Sequence, residues 1–165
     1  MAWARCGAVR YSTNYMSRTG LILLVENEAH DIFFMRRAFR AAGFRNRLRA
    51  LQDGAEAIDY LSGRGEYVDR LRYPLPSLLV TDIKMPKVDG FELLGWLQSR
   101  PDFVALPRIV ISSSCHEIDL KRCLELGAAA YYTKPGSHKQ RVSMVRQWLR
   151  IWTASQQSIL LSRTS

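Results

Sequence analysis

Short apolar runs recur along this chain, and stretches with helical periodicity separate them. The runs are strand-sized and lie at Leu21–Val25, Arg47–Leu51, Leu78–Asp82, Arg108–Ile111 and Ala129–Thr133. Runs without polar alternation are typical of strands buried on both faces of a parallel sheet. The intervening stretches predict five helices, near residues 29–42, 55–61, 91–98, 117–126 and 139–153. The first of them places Ile32, Met35, Phe39 and Ala42 on one inward stripe.

Strands that alternate with helices predict an α/β domain with a parallel sheet and crossover connections. We therefore divide the chain into an N-terminal extension (1–20), one folded domain (21–153) and a C-terminal tail (154–165). The Gly- and Pro-containing stretch 62–76 is predicted to be a long surface loop.

Composition narrows the function classes. The formal charge is +9, yet Leu21 to Glu125 holds 15 basic and 15 acidic residues, so the excess belongs to the two ends. A neutral centre argues against a nucleic-acid-binding domain, which we keep as a rival. No apolar run approaches the roughly 20 residues of a membrane span. Three cysteines without metal-ligand spacing favour a reducing compartment, and we predict a cytoplasmic protein.

Polar residues follow the apolar runs at one end. Glu26 and Asn27 follow the first run, Asp82 ends the third, Ser112 follows the fourth and Lys134 follows the fifth. Because the carboxyl ends of parallel strands open on one edge of the sheet, these side chains are expected to converge. The alternative for Asp82 alone is a residue that caps a loop or a helix.

Phosphoryl transfer to a carboxylate needs this combination. Asp82 is the candidate nucleophile. Mg²⁺ takes carboxylate and other oxygen ligands, so we expect it at Glu26, Asn27, Asp82 and the backbone carbonyl of Lys84. Lys134 would offset negative charge on the transferring group, and Ser112 would donate a hydrogen bond to the bound phosphate.

These residues resemble a known family. The order Leu-Val-Glu, Thr-Asp-Ile-Lys-Met-Pro, Asp-Gly, Ile-Ser-Ser and Tyr-Tyr-Thr-Lys-Pro is similar to the receiver domain of two-component response regulators. Glu26, the run His30-Asp31-Ile32-Phe33, the loop 65–76 and a Trp-rich last helix resemble the small stand-alone receivers that partner phytochrome-type sensor kinases. The resemblance spans about Leu21 to Thr153.

The resemblance implies a flavodoxin-like (βα)5 fold with strand order 2-1-3-4-5. It implies that Asp82 accepts a phosphoryl group from a sensor histidine kinase or histidine phosphotransferase. It also implies that Ser112 and Tyr131 move together on phosphorylation, and that a cis peptide precedes Pro135. For Tyr131 the alternative is an ordinary strand aromatic. Such a protein is not an enzyme, apart from catalysing phosphorylation and dephosphorylation of its own aspartate.

Asn27 departs from the family pattern of two adjacent acids after the first strand. It keeps an oxygen ligand but removes a negative charge from the cation site. A second hypothesis is therefore a pseudo-receiver that acts as a protein-interaction module without phosphorylation. Compensation by Glu28 is a further alternative. An aspartyl-nucleophile phosphatase is disfavoured, because Lys84 stands where a second acid is expected.

The last helix carries two apolar stripes. Val142, Val145, Leu149 and Trp152 are expected to face the sheet, and Met144, Trp148 and Ile151 form a second stripe beside it. An apolar surface this wide predicts a homodimer or partner interface. The alternative is that the C-terminal tail packs over it.

Overall fold

The computed structural model describes residues 20–44 and 48–161, with the backbone alone for residues 149, 151 and 153–161. Within these ranges five strands alternate with five α-helices. The strands are β1 (Ile22–Val25), β2 (Leu48–Leu51), β3 (Leu78–Thr81), β4 (Arg108–Ser112) and β5 (Ala130–Thr133). The helices are α1 (Ala29–Ala41), α2 (Gly54–Ser62), α3 (Gly90–Gln98), α4 (Glu117–Glu125) and α5 (His138–Leu161). Most of the extension proposed at the N-terminus, residues 1–19, lies outside the described residues.

All the strands are parallel, and their order is β2-β1-β3-β4-β5. This is the flavodoxin-like topology that the resemblance predicted. Val25 pairs with Leu51 on one side and Thr81 on the other, so β1 and β3 end level with each other. The register therefore brings the residues after β1 and β3 to one edge of the sheet.

Successive residues of β1 lie on opposite faces of the sheet and enter different core clusters. Leu23, Val25 and Leu79 pack with residues of α2 and α3 on one face. Ile22 and Leu24 pack with α1 and α5 on the other face. Every residue of β1, β3 and β4 is buried, which explains their continuous apolar pattern.

The last helix differs from its prediction in two respects. It continues to Leu161, past the predicted end at Thr153, because residues 154–161 contain no Gly or Pro to stop a helix. Met144 and Trp148 are buried in the core, with the Trp148 ring 5.9 Å from the rings of both Phe39 and Tyr132. The second stripe is thus largely core, and the two residues are not available to a partner. No helix in the described part of the chain is long and apolar enough to cross a membrane.

The predicted loop 62–76 has internal structure. It contains a 3-10 helix, Gly65–Val68, and it buries Tyr67 and Tyr73 against Tyr60 of α2. Arg70 donates hydrogen bonds to the carbonyls of Tyr60 and Leu61, where α2 ends. The tyrosines of this polar, Gly-rich stretch therefore join the core on one face of the sheet, which composition alone did not indicate.

The bond between Lys134 and Pro135 is trans, and the described residues contain no cis peptide. The expected cis bond is therefore wrong. The two isomers of an X–Pro bond differ by only about 0.5–1 kcal/mol, so tertiary contacts, more than the Lys-Pro sequence, decide between them.

Candidate functional site

The ends of β1, β3, β4 and β5 assemble one polar site. Backbone hydrogen bonds continue past the strands: the amide of Asp82 donates to the carbonyl of Val25 at 3.0 Å, and that of Lys134 to the carbonyl of Ser112 at 2.7 Å. Glu26 and Asp82 are buried, with 2 % and 3 % exposure. The convergence expected from the strand ends is present in the structure.

Lys134 lies at the centre of this site. Its Nζ atom donates to Glu26 Oε2 at 2.7 Å, to Asp31 Oδ2 at 2.9 Å and to Asp82 Oδ2 at 2.9 Å. An ammonium group has three N–H donors, so carboxylates take all of them. Charge-assisted bonds of this kind are strong and fix the positions of both partners.

Burial and charge shift the pKa values of the groups around Lys134. Burial would lower the pKa of Lys134, but the hydrogen bonds with Glu26, Asp31 and Asp82 outweigh it and raise that pKa. Burial raises the pKa of Glu26 despite its bond with Lys134. Burial opposes ionisation of Asp31 too, yet bonds from Lys134 and Arg141 hold its pKa below the ordinary value. Lys134 is therefore a fixed positive charge beside the Asp82 carboxylate.

Asn27 carries an unsatisfied oxygen. Its Nδ2 donates to Glu28 Oε1 at 3.2 Å, whereas its Oδ1 is buried without a hydrogen-bond partner. A buried acceptor without a partner costs free energy unless a ligand, ion or water completes it. Asn27 follows the buried Glu26 in the chain, and amide and carboxylate oxygens are ligands that suit a hard cation such as Mg²⁺. The residues present therefore fit the predicted metal.

Carboxylates alone do not make that site. No group of three or more His, Cys, Asp or Glu side chains in the described part of the chain is arranged to hold a metal. The three carboxylates of this edge surround Lys134 instead. A cation would consequently need the amide oxygen of Asn27 and a backbone carbonyl, such as that of Lys84, whose own side chain is exposed.

Ser112 and Tyr131 lie beside the site in a hydrogen-bonded loop. The Ser112 hydroxyl is buried and accepts from the amide of Ser114 at 3.1 Å. The Tyr131 hydroxyl donates to the Ser114 carbonyl at 2.8 Å. Both predicted switch residues thus contact the same short loop after β4.

The segment between Asp82 and α3 packs tightly. The Ile83 amide donates to Asp82 Oδ1 at 2.6 Å, and the Gly90 amide donates to the Ile83 carbonyl at 2.9 Å. A Cβ atom at Gly90 would collide with the backbone carbonyl of Asp82 and come within 2.8 Å of the Ile83 Cα. We call residues 83–90 the acceptor loop. Its shape fixes one oxygen of Asp82 and leaves the other facing Lys134.

A brace from α2 supports the acceptor loop. Lys87 has a φ of 62°, which is uncommon for a residue with a side chain, and its Nζ donates to Asp53 Oδ2 at 2.6 Å. Asp53 also caps α2 through the amide of Glu56 at 2.8 Å. The Gly54 amide donates to the Val88 carbonyl at 3.0 Å. Helix α2 and the acceptor loop are therefore held together beside the site.

Asp31 and Arg141 belong to the site but were not predicted as site residues. Asp31, in the first turn of α1, contacts Lys134, and its Oδ1 accepts from Arg141 Nη1 of α5 at 3.1 Å. An acid in a first helical turn ordinarily needs no more explanation than the helix dipole. The sequence offers one signal, the position of Asp31 five residues after Glu26. That spacing indicates a site residue only when the packing of α1 against α5 is known.

The fold and this edge define a class of protein: a parallel α/β domain with a buried aspartate and a partly buried lysine at the carboxyl ends of its strands. Residues 22–146 match the family model for the response regulator receiver domain. The chain belongs to that family, as the resemblance predicted, and so to two-component signalling.

Two curated relatives match most of the chain. The probable methanogenesis regulatory protein FilR2 of Methanothrix harundinacea is 34 % identical over 142 residues, covering 82 % of this chain and 86 % of its own. The response regulator Rcp1 of a Synechocystis strain is 31 % identical over 132 residues, covering 80 % of this chain and 88 % of its own. Both shares are large, so the likeness extends beyond a local motif.

Solved structures give the same picture. RPA3017, a response regulator in red-light signalling of R. palustris, superposes with a TM-score of 0.77 at 26 % identity, covering 82 % of this chain and 94 % of its own. The phosphorylated cyanobacterial phytochrome response regulator RcpA gives 0.74 at 29 % identity, covering 82 % and 95 %. The Mn²⁺-bound form of Rcp1 gives 0.71 at 31 %, covering 81 % and 94 %. The narrower resemblance to stand-alone phytochrome response regulators is confirmed.

Proposed function

We propose that this chain is a receiver whose Asp82 accepts a phosphoryl group from a sensor histidine kinase or a histidine phosphotransferase. The observation that carries the proposal is the buried Asp82 carboxylate with the Lys134 ammonium 2.9 Å from its Oδ2. Relatives support it, because RcpA was solved in a phosphorylated form and Rcp1 with Mn²⁺. Phytochrome-type kinases are the class of partner that these relatives suggest.

The proposed step is one group transfer. An oxygen of Asp82 attacks the phosphorus of a phosphohistidine, a P–O bond forms, and the P–N bond breaks with its electron pair left on the imidazole. A bound Mg²⁺, held by Glu26, Asn27, Asp82 and the Lys84 carbonyl, would neutralise charge on the phosphoryl oxygens. Lys134 offsets the remaining negative charge, and the Ser112 hydroxyl donates to the new phosphate. Changes at Ser112 and Tyr131 would then pass to protein partners through α4 and α5.

Intact mass spectrometry tests this assignment. The chain is incubated with a small phosphodonor and saturating Mg²⁺, and we expect the mass to rise by one phosphoryl group. Asp82→Asn should gain nothing. Asp59→Asn, a matched change at an exposed acid of α2, should label like the parent chain. A parent chain that stays unlabelled at saturating Mg²⁺ would contradict the proposal.

One observation favours the second candidate, a pseudo-receiver that binds partners without phosphorylation. Lys134 already satisfies the carboxylates of Glu26, Asp31 and Asp82, and Asn27 adds no charge. Each of the three carboxylates thus has a hydrogen-bond partner without a metal ion. Partner binding that is the same for the parent chain and for Asp82→Asn, with and without phosphodonor, would favour this candidate over the first.

A further inference from the structure

Asp31 differs from the other two carboxylates that hold Lys134. In the proposed function Glu26 and Asp82 are shared with a cation or with the incoming phosphoryl group. Asp31 has no such second task, and its Oδ2 lies 2.9 Å from Lys134 Nζ. It is therefore the acceptor that can keep hold of Lys134 throughout the reaction.

Arg141 fixes the orientation of Asp31. It donates to Asp31 Oδ1 at 3.1 Å, and its guanidinium lies over the Phe34 ring at 5.1 Å. The side chains of Lys134 and Arg141 are both 13 % exposed and that of Asp31 is 22 % exposed, so the network is partly shielded from water. Each oxygen of Asp31 is thus bonded to a different cation, which leaves the carboxylate one position.

We propose that Asp31, oriented by Arg141, is a positioning residue that holds the Lys134 ammonium against Asp82. The proposal rests on the proposed function, because Lys134 acts only if Asp82 accepts a phosphoryl group. A lysine side chain is long and flexible, and small errors in the placement of a reacting or stabilising group reduce rates strongly. Asp31 reduces that freedom from outside the strand-end motif.

A double substitution separates position from charge. Asp31→Asn removes one negative charge and leaves Arg141 without its carboxylate partner. It should therefore lower the Mg²⁺ affinity and also loosen the position of the Lys134 ammonium. Asp31→Asn combined with Arg141→Gln restores the net charge but not the carboxylate that holds Lys134. The labelling rate is measured by intact mass at saturating Mg²⁺, and Mg²⁺ binding by calorimetry.

We expect the double variant to bind Mg²⁺ within about twofold of the parent chain while its labelling rate stays about tenfold lower. Asp31→Glu, which keeps the carboxylate, should recover part of the rate. Exposed residues of α2 and α5 provide the matched controls Asp59→Asn and Arg146→Gln, which should label normally. A double variant that labels at the parent rate would overturn the proposal.

The ¹⁵N NMR signal of the Lys134 ammonium gives a readout that needs no phosphorylation. Its slow proton exchange in the parent chain should accelerate in Asp31→Asn and in the double variant, with unfolding by urea as the check on folding. An unchanged signal overturns the positioning role by itself. A parent chain that cannot be labelled, by contrast, overturns the proposed function and leaves the NMR result to decide the position of Lys134.

Discussion

Asn27 is a neutral residue at the position where the family pattern has a second acid. The proposed cation site therefore has one negative charge fewer. The amide oxygen is buried without a partner, so it is free to coordinate, but it contributes a dipole where an acid would contribute a full charge. Attraction between Mg²⁺ and a carboxylate a few ångströms away exceeds that to an amide even when water screens it. The strength of the cation site should therefore respond to this one position.

Asn27→Asp should tighten Mg²⁺ binding about tenfold, or about 1.4 kcal/mol, because a negative charge joins the ligands. Calorimetric titration of Mg²⁺ measures the change. Gln147→Glu, which adds the same charge at an exposed position of α5, is the control and should bind Mg²⁺ like the parent chain. Equal affinities of Asn27→Asp and the parent would show that Asn27 is not a ligand.

Two glycines of α3 should respond to alanine with opposite signs. At Gly90 a methyl group would collide with the Asp82 backbone, and we expect Gly90→Ala to cost about 2–3 kcal/mol of unfolding free energy. At Gly95 the nearest atom is 4.0 Å from the added Cβ, so Gly95→Ala should stabilise the helix by about 0.5–1 kcal/mol. Urea unfolding measures both. Similar values for the pair would refute the tight packing of the acceptor loop.

The sequence predicted the site residues that lie at the ends of strands, but not the site residues that lie on helices. Glu26, Asp82, Ser112 and Lys134 follow apolar runs, and the geometry of parallel strands places such residues together. Asp31 and Arg141 meet only because α1 packs on α5, 110 residues apart in the chain. No local pattern encodes that approach, so the network around Lys134 could be only half predicted.

At the scale of elements, α2 acts as a support for the acceptor loop. Asp53 does two things there: it caps α2, and it pairs with Lys87 of the loop. Burial would raise the pKa of Asp53, but bonds from Lys87 and the Glu56 amide outweigh it and hold that pKa below 3.8. A depressed pKa means that the ionised carboxylate stabilises the folded chain.

The stabilisation from Asp53 should depend on pH. A carboxylate whose pKa is lower in the folded state contributes fully above its unfolded value of 3.8 and loses its contribution as the pH falls through the folded value. Asp53→Asn keeps a capping side chain but no charge. The parent chain should therefore be more stable than Asp53→Asn near neutral pH, and urea unfolding at lower pH should show the difference shrinking. A difference that is constant with pH would refute the ionic brace.

In the remaining elements, the hydrophobic pattern of the sequence predicts the secondary structure but not every buried residue. The helices and strands follow from periodicity because their apolar residues serve the cores directly. Arg108 does not: it is buried in β4, and its guanidinium donates to the carbonyls of Leu97 and Phe103. An arginine at the start of a strand is ordinarily predicted to be exposed. Arg108 can be buried because carbonyls at the end of α3 and in the turn that follows accept its hydrogen bonds.

In the folded molecule, the apolar surface of α5 that is available for the proposed homodimer is smaller than the sequence indicated. Met144 and Trp148 belong to the core, so pairing through α5 must use its outer face or its extension beyond Trp152. The extension was predicted to be tail and is helix instead.

A chain shortened after Ser155 tests the extension. It keeps Trp148 and Trp152, so its unfolding free energy should change by less than about 1 kcal/mol, while any dimer formed by the full chain should be lost. Light scattering with and without phosphodonor measures the mass of both chains. A full chain that stays monomeric under both conditions, or a shortened chain that still pairs, would argue against an interface on this extension.

The bonds of Lys134 also have a consequence for folding. Its partners Glu26 and Asp82 lie 108 and 52 residues away, so the network closes contacts between distant parts of the chain. Contacts of long sequence separation form only after much of the topology is in place. The acceptor site should consequently be among the last features to appear as the chain folds. If Asp82 accepts a phosphoryl group as proposed, a partly folded chain in which β5 has not yet joined the sheet would lack the Lys134 ammonium beside that aspartate.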